Sequence, residues 1–216
     1  MFIEARYKDK IVLSDFDNLP TKVGLCSSVQ FIDSLPGIQK QLEESGREVV
    51  LVKGKQSKHS GQILGCDVLY GLEKYDVDCF LYIGDGLFHP KALMLKNDID
   101  VFHFSPYSEK ILKIDQKDID RMKIRQKKAL NKFYKSKDIG ILVTIKHGQN
   151  KNSAIQKIKE KYPDKNIYVF VADTIDFNQL VNFNFIECWV NTACPRISFD
   201  DMTELELSIV DVSDIL

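Results

Sequence analysis

Residues 139–171 read IGILVTIKHGQNKNSAIQKIKEKYPDKNIYVFV, and the parsing of this stretch decides the fold class. Ile139 to Ile145 is an apolar, β-branched run of strand length, and Ile167 to Val171 is another. Between them Ser153 to Tyr162 reads as a helix, stopped at Pro163-Asp164 because proline cannot continue it. A strand, a helix and a strand in so short a span form the crossover that joins neighbouring parallel strands.

The same alternation extends in both directions. Upstream, Val23 to Cys26 predicts a first strand. A helix from Val29 to Glu44 follows, with apolar residues at Phe31, Ile32, Leu35, Ile38 and Leu42; Pro36 bends or restarts it, and Ser45-Gly46 ends it. Val49 to Val52, Cys79 to Ile83 and Val101 to Phe104 read as strands, with a short helix from Pro90 to Leu95. A long helix from Gln116 to Lys135 carries Ile119, Met122, Ala129, Leu130 and Phe133 on one face. Downstream, helix Phe177 to Val181 and strand Cys188 to Val190 complete the pattern. The expected fold is α/β: two similar Rossmann-like parallel-sheet units joined by a long helix. Residues 1–20 form an N-terminal arm or strand, 21–114 the first unit, and 115–216 the second unit with the linking helix. Arg121, Arg125, Lys128, Lys132 and Lys135 make a basic stripe on that helix, either a solvated face or a dock for an acidic partner.

Thirty basic residues against thirty-one acidic ones leave a net charge of -1. That balance gives no general attraction to nucleic acid or membrane, so neither is expected as a direct partner. No apolar run approaches the roughly 20 residues of a membrane helix, and the start of the chain lacks the apolar core of a secretory signal. A cytoplasmic location is the expectation. The five cysteines form no CxxC pair, and their odd number argues against a disulfide framework. Cys79 and Cys188 lie in strand-like runs and read as buried apolar fillers. Cys66 follows Gly65 and Cys194 precedes Pro195, a different setting.

In parallel α/β sheets, ligands sit beyond the carboxyl ends of the strands. Cys26-Ser27-Ser28-Val29-Gln30 follows the first strand and Gly84-Asp85-Gly86-Leu87-Phe88-His89-Pro90 the third. Lys146-His147-Gly148-Gln149 opens the second unit's loops, and Asn191-Thr192-Ala193-Cys194-Pro195-Arg196 closes them. These loops are candidates to line one pocket between the units. Gly84-Asp85-Gly86 is either a ligand-facing loop or a tight turn in which Asp85 caps the next helix. Cys194-Pro195 has the look of an iron–sulfur ligand held stiff by proline. From the residues alone, Cys66 and Cys194 are either ligands of a shared metal or two unrelated thiols.

Read together, these segments resemble the diphthamide-synthase family, the radical 2-(3-amino-3-carboxypropyl)histidine synthases of archaea and the related paired subunits of eukaryotes. The resemblance rests on Val23-Gly24-Leu25 with Val29-Gln30-Phe31, on Gly61-Gln62-Ile63-Leu64-Gly65-Cys66, and on the Gly84 to Pro90 loop. It continues through Ser105-Pro106-Tyr107-Ser108, Lys146 with Gly148-Gln149, and Trp189-Val190-Asn191-Thr192-Ala193-Cys194-Pro195-Arg196-Ile197. It implies that the chain corresponds to the last two of the family's three α/β domains. In the family three cysteines, one per domain, hold a [4Fe–4S] cluster, and the fourth iron binds S-adenosylmethionine. Reduction of the cluster releases a 3-amino-3-carboxypropyl radical that adds to a histidine of translation elongation factor 2.

The resemblance makes Cys66 and Cys194 metal ligands. It places Gln30, Asp85, His89, Lys146 and Gln149 around the S-adenosylmethionine pocket. It also implies that the third thiolate comes from a complementing subunit or a homo-oligomer; Cys26, at the end of a strand in the first unit, is the alternative within the chain, although the family's ligand lies elsewhere. Two further functions are a non-catalytic supporting subunit and a metal-free α/β protein that binds a small molecule.

Overall fold

The computed structural model describes residues 4–14, 16–65, 72, 74–95, 97–146, 152–198 and 207–216. The chain divides into two compact units, residues 1–119 and 120–216.

The first unit holds strands β1 (Lys22–Ser27), β2 (Glu48–Leu51), β3 (Cys79–Ile83), β4 (Asp100–Ser105) and β5 (Lys110–Lys113) in the order β2-β1-β3-β4-β5. The first four are parallel, and β5 returns antiparallel to β4. β3 is buried along its whole length, as expected of a strand with helices on both faces. One face carries Val23, Leu25, Cys79, Leu81 and Ile83 into a core with Phe31, Leu35, Ile38 and Leu42, joined by Ile11, Leu13 and Leu19 from the first twenty residues.

The expected first helix is two elements. A 3-10 turn covers Val29–Ser34, and α1 (Leu35–Glu44) starts afresh with Pro36 in its first turn, where proline's missing N–H costs nothing. α1 ends where Gly46 takes φ 86° and its amide bonds the Glu43 carbonyl at 2.9 Å. α2 (Phe88–Met94) begins two residues before the expected Pro90. β5 went unpredicted. It is four residues long and mostly exposed, so it lacks an apolar signal, and its turn is set by Glu109 at φ 54°.

α3 (Gln116–Lys135) runs as the apolar periodicity predicts, and the division between the units falls inside it. The second unit contains β6 (Asp138–Thr144), α4 (Asn152–Lys161), β7 (Asn166–Ala172), α5 (Phe177–Leu180), β8 (Cys188–Asn191) and β9 (Ile209–Asp211). Its strands are all parallel, in the order β7-β6-β8-β9. Ile139, Ile141, Val143, Cys188, Val190 and Val210 pack with Ala129, Phe133, Ala154 and Ile158. The other face buries Leu142, Trp189 and Ile209 with Leu180 and Ile186. Gly140 is required there, since a Cβ would lie 2.5 Å from the Trp189 ring. In each unit the loops after the parallel strands gather at one end of the sheet.

Candidate functional site

In the first unit, Gln30, Asp85 and His89 line one recess of about 370 Å³, together with Ala5, Ser28, Val29, Phe31 and Tyr82. The pairing of β1 with β3 brings the residues after both strands side by side.

The Gly84-Asp85-Gly86 loop is held by its neighbours. His103 of β4 is buried, and its Nε2 lies 2.7 Å from the Gly84 carbonyl. A carbonyl only accepts, so this nitrogen carries the proton. The Gly84 amide donates to the Phe104 carbonyl at 3.0 Å. Gly86 at φ 71° needs its missing Cβ to turn the chain. Asp85 does not cap α2: Leu87 occupies the cap position without a side-chain bond. The exposed Asp85 carboxylate instead accepts from the Ser105 hydroxyl at 3.4 Å. The capping alternative is therefore corrected; the loop is anchored from β4, which frees Asp85 to point outward.

Tyr82, at 1% exposure, forms the recess floor. Its ring stacks on His89 with centroids 5.6 Å apart and planes 15° apart, and its hydroxyl lies 3.2 Å from His89 Nδ1. Burial pushes the phenol above its ordinary value, and hydrogen bonds from Ser28 oppose the rise. Tyr82 and His103 have no role in the sequence reading, and Ser105 enters it only within the Ser105-Pro106-Tyr107-Ser108 motif. The position of Tyr82 two residues before the glycine loop was the available signal for it.

Cys66 lies outside the described residues, but the segment that leads to it does not. The Ile63 amide donates to the Ser27 carbonyl at 3.0 Å, and Ser27 donates back to Gly61 at 2.8 Å. Residues 61–65 therefore run beside the carboxyl end of β1. A Cβ on Gly65 would strike the Phe88 ring, next to His89.

In the second unit Cys194 follows β8 and is a half-buried free thiol. Asn191, fully buried, grips its loop. The amide nitrogen donates to the Cys194 carbonyl at 2.8 Å and to Asp211 at 3.3 Å, and the amide oxygen accepts from the Ala193 N–H at 3.0 Å. Thr192 adds a hydroxyl bond to the Leu142 carbonyl at 2.8 Å. Lys146 is exposed just past the end of β6, the parallel neighbour of β8. Gln149 lies outside the described residues.

The other described cysteines differ from Cys194. Cys26, Cys79 and Cys188 are buried at 0% exposure. Burial pushes the Cys79 and Cys188 thiols up to about 12 and Cys26 well above its ordinary range. The Cys26 thiol faces the Leu81 carbonyl at 3.7 Å. Cys26 is thus no substitute ligand, because a neutral thiol inside a sheet neither ionises nor reaches a metal. Among the described residues, no group of three or more His, Cys, Asp or Glu is arranged to hold a metal ion. With a half-buried thiol on a loop held by hydrogen bonds from Asn191, Cys194 has the setting that a thiolate ligand of an iron–sulfur cluster needs.

The family model for diphthamide synthesis proteins matches residues 2–213. The 2-(3-amino-3-carboxypropyl)histidine synthase subunit 1 of Schizosaccharomyces pombe is 30% identical over 211 residues, covering 93% of this chain and 48% of that protein. The 2-(3-amino-3-carboxypropyl)histidine synthase of Pyrococcus horikoshii is 29% identical over 192 residues, covering 88% of this chain and 54% of that one. The crystal structure of Dph2 from Pyrococcus horikoshii with a 4Fe-4S cluster superposes with a TM-score of 0.77 at 26% identity, over 91% of this chain and 57% of that one. The chain therefore spans about half the length of the curated relatives it matches.

Proposed function

Because the chain belongs to the diphthamide synthesis family, we propose that it is a subunit of a [4Fe–4S]-dependent enzyme. That enzyme transfers the 3-amino-3-carboxypropyl group of S-adenosylmethionine to a histidine of translation elongation factor 2. The observation that carries the reading is Cys194: a free, half-buried thiol on a loop fixed by buried Asn191, in a chain whose structural neighbour holds a 4Fe-4S cluster.

In this reading Cys66 and Cys194 are cluster ligands, and a third thiolate comes from outside these 216 residues. The cluster, when bound, supplies the electron that cleaves the Cγ–S bond of S-adenosylmethionine. The net reaction would replace the ring hydrogen of the acceptor imidazole by the 3-amino-3-carboxypropyl group, with that hydrogen released as a proton, methylthioadenosine as the leaving group and no net change of oxidation state. The chain's own residues bind and orient. Gln30, Asp85 and His89 line the recess that takes part of the substrate. Lys146 and Gln149, which follow β6 in the second unit, are the further residues proposed to bind S-adenosylmethionine, by a cation and an amide.

Anaerobic reconstitution with a complementing subunit that carries the third cysteine is expected to yield methylthioadenosine and modified elongation factor 2. A complex that takes up iron yet never cleaves S-adenosylmethionine would refute the catalytic role. Unchanged transfer by Cys66→Ala and Cys194→Ala would instead favour a supporting subunit.

A further inference from the structure

The outer edge of the second unit's sheet is made of strong strand formers and left open. β7 (Asn166–Ala172) stands first in the order β7-β6-β8-β9, so only its inner edge is paired. The Asn166 amide donates to the Lys137 carbonyl, and the Ala172 carbonyl accepts from the Ile145 amide. Alternate residues of a strand turn their backbone groups to opposite edges, so those of Ile167, Val169 and Val171 face away from β6. Among the described residues nothing bonds them on that side.

Sheets usually guard such an edge with charge, proline or a bulge. β5 has Lys110 and Lys113 at its ends, β2 opens on Glu48, and β9 is buried. β7 reads Asn-Ile-Tyr-Val-Phe-Val-Ala, without charge or proline, and its register with β6 is unbroken. Val169 is 41% exposed and Val171 63%. On the other face of the edge, exposed Tyr168 meets exposed Phe185 edge to face, with ring centroids 5.1 Å apart.

We propose that β7 is an interface between two copies of this chain, paired antiparallel about a twofold axis at Val169. In that register Val169 meets its own copy, Ile167 meets Val171, and Tyr168 meets Phe170. The first two pairings join the residues whose backbone groups face outward, so each exchanges hydrogen bonds. β-branched side chains then oppose one another on one face of the sheet and aromatic rings on the other, both favourable cross-strand pairs. Just beyond the strand, Lys165 of one copy comes opposite Asp173 of the other. The Lys165 ammonium stays on the carbonyls of Phe133, Tyr134 and Ser136, so the ends agree in sign without a direct ion pair. Moving the centre by one residue sets Lys165 against Val171, or Asp173 against Ile167. The strand thus complements itself in hydrogen bonding, packing and charge, as a twofold interface requires. This surface lies within the second unit and does not rest on the S-adenosylmethionine reading.

Sedimentation equilibrium of the full chain at micromolar concentration is expected to show a dimer. Val169→Lys places like charges face to face at the axis and is expected to weaken it about a hundredfold. Val50→Lys, on the exposed edge strand β2 of the first unit, is expected to leave it intact. Val169→Cys treated with a short bis-maleimide is expected to give a covalent dimer whose peptide map joins position 169 of both copies, and this arm decides even if Val169→Lys fails to fold. A wild-type chain that stays monomeric, alone or with another protein's strand on β7, overturns the proposal. So does a dimer that survives Val169→Lys, one that is lost in Val50→Lys alone, or a map without the 169–169 link.

Discussion

Cys194 and Cys188 are separated by six positions and differ in almost every property that governs thiol chemistry. Cys188 sits inside β8 with its sulfur 3.4 Å from the Ser208 carbonyl, while Cys194 is on the loop beyond. Brief iodoacetamide treatment of the native chain is expected to label Cys194 and to spare Cys26, Cys79 and Cys188, as peptide mapping would show. The buried thiols also couple stability to alkaline pH. Cys188 is raised from 9.0 to about 12, chiefly by burial, so the unfolded chain loses this proton first. The stability from keeping it protonated is full below about pH 9 and is lost as pH rises toward 12. Urea unfolding of Cys188→Ala is therefore expected to depend less steeply on pH across that window than wild type does.

The loop after β8 shows how a strand end aims a thiol. Its backbone leaves the sheet at Asn191, whose buried amide closes back on Ala193 and Cys194 while Asp211 of β9 holds the amide itself. Asn191→Ala leaves the Ala193 N–H without the amide oxygen it donates to, at about 1–3 kcal/mol, and takes one of two donors from the Cys194 carbonyl, which keeps the Ile197 N–H at 3.1 Å. A lower Tm of the chain and faster alkylation of Cys194 are expected, with secondary structure by circular dichroism unchanged. Faster unfolding without any change in alkylation would show that Asn191 serves stability alone. In the first unit the equivalent anchoring comes from β4, through His103 on Gly84 and Ser105 on Asp85. The His103 and Ser105 contacts place side chains of one strand under the loop of its neighbour and so depend on strand order, whereas Asn191 holds the loop of its own strand and only its bond to Asp211 crosses to β9.

Half the length of its relatives is present in this chain, with two α/β units that superpose on the cluster-bearing neighbour. Iron retention after anaerobic reconstitution and gel filtration is expected to be low for the chain alone. On the proposed reading it should rise to about four irons per complex when a partner that carries a further cluster cysteine is added. Cys194→Ala is expected to abolish that rise, and an undiminished iron content in this variant would remove Cys194 from the ligand set.

The apolar rhythm determined the architecture without help. Runs such as Ile139 to Ile145 and the stripe from Ile119 to Phe133 encode local period and burial, properties each segment carries by itself. The motifs that resemble the family likewise lie in contiguous stretches, which is why Gln30, Asp85, His89 and Cys194 were named before any coordinates. The sequence reading lacks β5, whose four residues are mostly exposed and carry no apolar run, and β9, whose three residues are too few to show a period. Only tertiary structure showed Tyr82 beneath His89, His103 on the Gly84 carbonyl and Asn191 clasping the Cys194 loop. The first two are contacts between neighbours placed by turn and sheet order, and in the third the bond from Asn191 to Asp211 depends on β9 closing beside β8. Hydrogen-bond partners between separate strands depend on register, and register is a property of the assembled sheet that no single segment contains.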